Sequence, residues 1–87
     1  MKTVTLYTRH NCCLCHDARE AIESVAQSHP LQLQVVDIDR DLQRDDPRRR
    51  RFAIDIPVVE IDGAVVFQHR VDKAELRRVL SEGSEHT

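Results

Sequence analysis

The hydrophobic periodicity of the chain changes within the first 38 residues, and this change limits the folds that the chain can adopt. In residues 2–8, Val4 and Leu6 alternate with Thr3, Thr5 and Tyr7, which predicts a strand. From Leu14 onward, apolar residues recur every three or four positions as far as about Ser28, which predicts a helix. Residues 31–38 predict a second strand. A strand, a helix and a strand in this span predict a βαβ unit with parallel strands and a right-handed crossover.

The remaining elements follow from turn and capping signals. Asp46 before Pro47 predicts the start of a short helix that ends near residues 52–53. Two apolar runs at 56–61 and 64–67, divided by Asp-Gly, predict a hairpin. Asp72 begins a capping-box pattern for a last helix that stops at Gly83. The predicted order is β-α-β-α-β-β-α in a single domain over residues 1–83, with a frayed tail at 84–87.

The buried face of the first helix is predicted from its spacing. It consists of Leu14, Ala18, Ala21, Ile22, Val25 and Ala26. On this register Cys15 lies on or beside the buried face, whereas Cys13 shares the solvated side with His16.

Composition excludes several functional classes. The chain of 87 residues has room for one modest core, and its formal charge of −2 gives no global attraction for nucleic acid or anionic membranes. No apolar run approaches the roughly 20 residues that a membrane helix needs. The N-terminal segment has neither a long apolar region nor a small-residue cleavage site. We therefore expect a cytoplasmic monomer that binds neither nucleic acid nor membrane.

All three cysteines lie between the first predicted strand and the first predicted helix. Cys12 and Cys15 form a Cys-x-x-Cys pair, which at a helix start can close a disulfide, bind a soft metal, or cycle between dithiol and disulfide. Three cysteines within four positions cannot join distant parts of a fold. They could instead be merely small apolar residues, but two of them would occupy an exposed first turn. A reactive or metal-binding group is the better interpretation.

The position of Cys12 predicts a nucleophile. The unpaired amides of a helix N-terminus stabilise a thiolate, and Arg9 adds positive charge three residues earlier. Cys12 would attack a disulfide and form a mixed disulfide with the substrate. Cys15, less accessible and one turn later, would then displace the product.

Pro57 is a second informative residue. Because proline cannot donate to a strand ladder, it belongs at a strand start or in a special backbone geometry. From the sequence alone an ordinary trans bond after Ile56 is the more frequent case.

These motifs together resemble a known family. The segment Tyr7-Thr8-Arg9-His10-Asn11-Cys12-Cys13-Leu14-Cys15 before a helix, and Ile56-Pro57-Val58-Val59 leading to Asp62-Gly63, look like the short bacterial glutaredoxin-like proteins of the thioredoxin superfamily. The resemblance covers nearly the whole chain. It implies a thioredoxin-like α/β fold, with a four-stranded mixed sheet flanked by helices.

The resemblance also implies roles for individual residues. Cys12 would be the attacking thiol and Cys15 the resolving thiol of an oxidoreductase without a tightly bound organic cofactor. Arg9 matches a basic residue for the glutathione carboxylate, and Asp72 matches an acid near the last helix. Pro57 would be a cis-proline beside the active site, and the Ile56 backbone would pair with substrate. The substrate would be a disulfide-containing protein or glutathione, and glutathione or a thioredoxin reductase would regenerate the Cys12–Cys15 dithiol.

Three positions depart from the family pattern. Gln68-His69 stands where glutaredoxins place two glycines, His10 stands where proline is usual, and Cys13 occupies the variable position of the motif. Disulfide chemistry is compatible with all three changes. Specificity for glutathione does not follow from the remaining motifs.

Two other functions fit parts of the pattern. Cys12, Cys13 and Cys15 with His10 or His16 offer soft ligands for copper or zinc. The family resemblance also allows an iron–sulfur cluster bridged between two copies through Cys12. Copper chaperones, however, place a hairpin after the first helix, where this chain has a strand. The arginine run 48–51 invites a nucleic-acid hypothesis, but no aromatic residues are interleaved and the acids of residues 37–46 balance it. A solvated helix face is the better interpretation of that run.

Overall fold

A computed structural model describes residues 1–82 of the chain. The predicted stop at Gly83 and the predicted tail at 84–87 lie outside this part. The elements, in chain order, are β1 (Lys2–Thr8), α1 (Cys13–Ala26), β2 (Leu31–Asp37), α2 (Pro47–Phe52), β3 (Val58–Ile61), β4 (Ala64–Gln68) and α3 (Lys73–Glu82). The predicted order is confirmed, and element boundaries differ from the predicted ones by about two residues.

The four strands form one mixed sheet in the order β2-β1-β3-β4. β1 and β2 are parallel, as the βαβ prediction requires, and Thr8 pairs with Asp37 at the end of their register. β3 runs antiparallel to both β1 and β4. The β3–β4 turn uses Asp62 and Gly63 with φ values of 50° and 90°, as two-residue hairpins with Asp-Gly commonly do.

Both faces of the sheet are covered. Successive residues of β1 point to opposite sides, so this strand contributes buried side chains to each face. On one face Val4 and Leu6 pack with Ile22 of α1 and Leu76 of α3. On the other face the buried residues are Tyr7, Ile38, Phe52 and Val58, so α2 covers this side. The rings of Tyr7 and Phe52 lie 4.7 Å apart between centroids.

The start of α1 differs from the prediction. Leu14 is 44% exposed and Ala26 is half-buried, so neither belongs fully to the buried face that the spacing predicts. Leu14 lies in the first turn, where it lines a small surface recess with residues of the β4–α3 connection. The buried face begins at Cys15 and continues through Ala18, Ala21, Ile22 and Val25.

Capping side chains define the starts of the other helices. The carboxylate of Asp46 accepts the amide of Arg48 at 2.9 Å, as predicted for α2. Asp72 accepts the amides of Ala74 and Glu75, which is one half of the predicted capping box. Glu75 pairs with Arg78 instead of returning to Asp72.

Within residues 1–82, none of the helices combines the length and apolar character of a membrane span.

Candidate active site

Cys12 is the N-cap residue of α1, and its sulfur takes part in the cap. The backbone is extended at Cys12, and the amide of Cys15 donates to Cys12 Sγ at 3.2 Å. The preceding residue, Asn11, has a left-handed φ of 60°, a conformation that asparagine tolerates better than most side chains. This turn directs the Cys12 sulfur toward the first unpaired amides of the helix, where negative charge on sulfur is stabilised.

The three thiols differ in exposure, and all are free. Cys12 is half-buried, Cys13 is exposed, and Cys15 is only 4% exposed. The predicted sorting of Cys13 and Cys15 between solvent and core is therefore present in the structure. Only Cys12 combines partial exposure with a contact to the helix amides, so it is the thiol best placed to meet a substrate.

The proton affinity of Cys15 is set by burial. Burial raises the pKa of the Cys15 thiol above its ordinary value, and a hydrogen bond with Cys12 raises it further. Contacts with Thr8 and the Arg9 backbone oppose this rise in pKa without cancelling it. At neutral pH Cys15 therefore keeps its proton and offers it to the Cys12 sulfur.

Arg9 lies beside the cysteines but is bound to another residue. Its Nε and NH2 groups each donate to Asp39 at 2.9 Å, and Asp39 also pairs with Arg49 at 3.4 Å. The Arg9 guanidinium holds the pKa of the Asp39 carboxyl below its ordinary value. Asp39 is not among the site residues that the sequence motifs predict. The parallel register of β1 and β2 indicates that Arg9 and Asp39 lie close together, because each lies just beyond the end of its paired strand.

An open groove of about 810 Å³ brings Arg9, Cys12 and Cys15 together. Its other lining residues come from β1, β2, α1 and the loop between β1 and α1; they are Leu6, Thr8, His10, Asn11, Cys13, His16, Asp17, Arg19 and Val35. The groove thus places a half-buried sulfur, a buried sulfur and a guanidinium around one space. We refer to it as the cysteine groove.

The other predicted substrate residues lie outside the lining of the cysteine groove. The Ile56–Pro57 peptide bond is cis and Pro57 is buried. The carbonyl of Pro57 accepts the amide of His69 at 2.8 Å. His69 has a left-handed φ of 72°. Glycine adopts this conformation readily, which explains why the glutaredoxin pattern that the chain resembles has glycine at this position. Ile56 packs against the core beneath α2.

Asp72 has a structural role in the fold. Its Oδ1 atom accepts the amides of Ala74 and Glu75 at 2.9 and 3.2 Å. Both charged residues that the resemblance links to glutathione are therefore already bonded within the protein. Arg9 is bound by Asp39, and Asp72 accepts the first amides of α3.

Metal-ligating groups do not converge in the described part of the chain. Among residues 1–82, no three His, Cys, Asp or Glu side chains form a group that could hold a metal ion. His16, which could have supplied a ligand, pairs with Glu20 at 3.1 Å on the exposed side of α1.

Comparison with known proteins identifies similar sequences. A family model described as "Glutaredoxin-like domain (DUF836)" matches residues 3–81. A Dictyostelium discoideum protein named "Glutaredoxin-like protein YDR286C homolog" is 32% identical over 75 residues, which covers 84% of this chain and 69% of that protein.

Solved structures with this arrangement include thioredoxins. The X. campestris protein XcR50 is 28% identical with a TM-score of 0.67, over 91% of this chain and 96% of that one. Mitochondrial thioredoxin 3 from Saccharomyces cerevisiae is 15% identical with a TM-score of 0.65, over 93% of this chain and 77% of that one. These similarities confirm the predicted thioredoxin-like fold.

Proposed function

We propose that this chain, which belongs to the glutaredoxin-like domain family, reduces disulfides through the dithiol of Cys12 and Cys15. The family model and the thioredoxin-fold neighbours support a thiol-oxidoreductase-like protein. The observation that carries the assignment of residues is the 3.2 Å contact from the Cys15 amide to Cys12 Sγ. This contact joins the half-buried Cys12 thiol to the N-terminus of α1, and the buried Cys15 thiol lies one turn later in the same helix.

The reaction proceeds in two exchange steps. The Cys12 thiolate attacks one sulfur of the substrate disulfide, a Cys12–substrate bond forms, and the other substrate sulfur leaves as a thiolate that takes up a proton. The Cys15 thiol then loses its proton to solvent, and its sulfur attacks Cys12 Sγ. The Cys12–Cys15 disulfide forms while the second substrate sulfur leaves as a thiolate, which takes up a proton. Two electrons pass from the dithiol to the substrate.

The environment of Cys15 suits this order of events. In the reduced protein its raised pKa keeps Cys15 protonated, so Cys12 is the thiol that reacts first. Once Cys12 is part of a mixed disulfide, it no longer carries the charge that helps to raise the pKa of Cys15. Burial then remains as the main barrier to ionisation of Cys15, and the resolving step becomes easier.

The substrate class that we propose is a protein disulfide or a glutathione mixed disulfide. No tightly bound organic cofactor takes part; glutathione or a thioredoxin reductase would restore the dithiol. Ile56 and Pro57 would contact the substrate chain. We also propose a cytoplasmic monomer. Turnover measured with each reductant on the same protein sample distinguishes the two routes of regeneration.

Trapping of mixed disulfides tests the assignment of the two thiols. Cys15→Ser should accumulate a covalent adduct with a peptide disulfide because the resolving sulfur is missing, whereas Cys12→Ser should accumulate almost none. Serine is a good N-cap residue, so Cys12→Ser should still fold. Intact-protein mass spectrometry under non-reducing conditions measures the adduct, and Cys13→Ser is the control that should behave like the unmodified protein. Equal trapping by the Cys12 and Cys15 variants would contradict the assignment.

A metal-binding experiment separates this proposal from the soft-metal alternative. The reduced protein should turn over disulfides and should show no stoichiometric binding of Cu(I) or Zn(II). Metal present at isolation, with unfolding on chelation and no reductase activity, would instead identify a metal carrier.

A further inference from the structure

A second recess adjoins the cysteine groove and is rich in arginine. It has a volume of about 730 Å³ and is formed by α2 and the segment that precedes it. Its lining residues are Arg9, Asp39, Arg44, Asp45, Asp46, Pro47, Arg49, Arg50 and Arg51. Five arginines against three aspartates make this surface positive, whereas the chain as a whole carries a formal charge of −2. We refer to it as the arginine recess.

Part of this positive charge is not neutralised within the protein. Arg9 and Arg49 share one carboxylate, that of Asp39. Asp46 is paired with Arg48 at 2.8 Å. Within the described part of the chain, the exposed Arg44 and Arg50 have no carboxylate within ion-pair distance.

Arg51 extends along an aromatic ring rather than toward an acid. Its guanidinium carbon lies 5.4 Å from the centroid of the Phe52 ring. This contact leaves the Arg51 charge available to an anion in the recess, since a ring face does not neutralise a cation as a carboxylate does.

Arg9 connects the two surfaces, because it lines both the cysteine groove and the arginine recess. A molecule whose sulfur reaches Cys12 can therefore continue past Arg9 over Arg44 and Arg50 without leaving the protein surface. Charge complementarity would favour carboxylates on that continuation.

We propose that the arginine recess binds an acidic segment of the protein whose disulfide Cys12 attacks. This inference rests on the proposed function, and it narrows the substrate class to disulfides flanked by Asp or Glu. The recess also presents Asp39, Asp45 and Asp46 between its arginines. A peptide can place carboxylates and neutral residues to match that alternation of charge, whereas a polyphosphate cannot.

The aromatic residues argue for a peptide over a nucleic acid. Single-stranded nucleic acids bind by stacking bases on aromatic side chains beside a basic groove. Tyr7 and Phe52 are buried at 3% and 1% exposure, and Phe67 packs against the other core. None of them lines the arginine recess, so it offers charge without a stacking platform.

A pair of disulfide peptides tests the proposal. Both carry the same cysteine joined to a neutral fluorescent thiol; one has three Glu residues on one side and the other has Gln at those positions. We expect kcat/KM to be about tenfold higher for the Glu peptide, mainly through KM, because charge complementarity acts on association. The ratio should fall toward one at about 0.5 M NaCl, where the charges are screened.

Charge-reversal variants locate the effect. Arg44→Glu with Arg50→Glu should bring the Glu-to-Gln ratio to one or below. The matched control is Lys73→Glu with Arg77→Glu, which makes the same change of charge on exposed residues of α3 outside the recess. The control should retain most of the preference. Equal loss in both double variants, or no preference in the unmodified protein, would overturn the proposal.

Two further measurements complete the test. Inhibition by a single-stranded oligonucleotide that is stronger than inhibition by a Glu peptide of equal charge would overturn the assignment to a protein segment.

Fluorescence anisotropy with an alkylated Glu peptide measures binding without any exchange reaction. Binding that depends on Arg44 and Arg50 without turnover would contradict the proposed function and retain the recess as an acidic-peptide site. Turnover without preferential binding of that peptide would contradict only the recess proposal.

Discussion

The guanidinium group of Arg9 binds the carboxylate of Asp39 through two hydrogen bonds of 2.9 Å each. This bidentate geometry is the one in which arginine recognises carboxylates most specifically. Asp39 therefore occupies the face of Arg9 that a substrate carboxylate would use. Arg9 lines both the cysteine groove and the arginine recess, and Asp39 lines the arginine recess.

Removal of this internal carboxylate should favour small anionic substrates. In Asp39→Asn, Arg9 loses its charged partner and becomes available, so we expect kcat/KM for glutathione disulfide to rise by about threefold to tenfold relative to a neutral disulfide. Steady-state kinetics with both substrates measure the change. Asp45→Asn is the matched control because it removes the same charge without a contact to Arg9. An equal rise in both variants would show a general effect of charge.

The resolving step should accelerate as pH rises. Burial places the pKa of Cys15 above its ordinary value of 9.0, so only a small fraction is thiolate at pH 7. Well below the pKa, this fraction grows about tenfold per pH unit. Rapid-quench analysis of a preformed Cys12 mixed disulfide should show product release that increases from pH 6 to pH 8. A rate that is flat across this range would contradict a rate-limiting ionisation of Cys15.

Tyr7 should stabilise the fold through its hydroxyl group. The hydroxyl donates to Glu60 at 2.8 Å and accepts from Arg48 at 3.3 Å, which ties α2 to the sheet. Tyr7→Phe keeps the ring packing and removes both bonds, so we expect a loss of about 1–2 kcal/mol in the free energy of unfolding. Urea denaturation at pH 7 measures this loss.

The same pair of proteins should differ in their response to high pH. Burial and the bond to Glu60 raise the pKa of Tyr7 above 10.0. The folded state then holds this proton more tightly than the unfolded state. The stabilisation is complete below pH 10 and is lost as pH rises through the raised pKa. The stability difference between the unmodified protein and Tyr7→Phe should therefore be constant below pH 10 and shrink as the pH rises further; a constant difference on both sides of pH 10 would contradict this role.

His69 should tolerate glycine better than any branched residue. Its φ of 72° costs a side-chain-bearing residue about 1–2 kcal/mol, whereas glycine adopts it freely. His69→Gly keeps the amide that donates to Pro57, so we expect unchanged or increased stability, and His69→Val should be at least 1 kcal/mol less stable than His69→Gly. Thermal unfolding measures the order. Gln68→Gly, within β4, is the control and should destabilise the protein.

The elements and the cysteine pair were predictable because their signals are local. Alternation in β1 and β2, the three-to-four spacing in α1, and Asp-Gly at 62–63 depend on residues within one element or turn. The place of Cys12 at the start of α1 follows from the same periodicity. Leu14 shows the limit of this reasoning: its spacing matches the buried face, but the packing of α1 begins one residue later.

Local patterns in the sequence are sufficient to specify the order of strands and helices and the position of the Cys-x-x-Cys pair, since backbone preference and hydrophobic period act over a few residues. Two other features depend on the folded chain: Arg9 is bound by Asp39, 30 residues away, and Tyr7 bonds with Glu60 and Arg48 beneath α2. These contacts depend on strand register and on how the helices lie on the sheet. A side chain's partner across that distance is selected by the packing of the whole chain, which no local pattern contains.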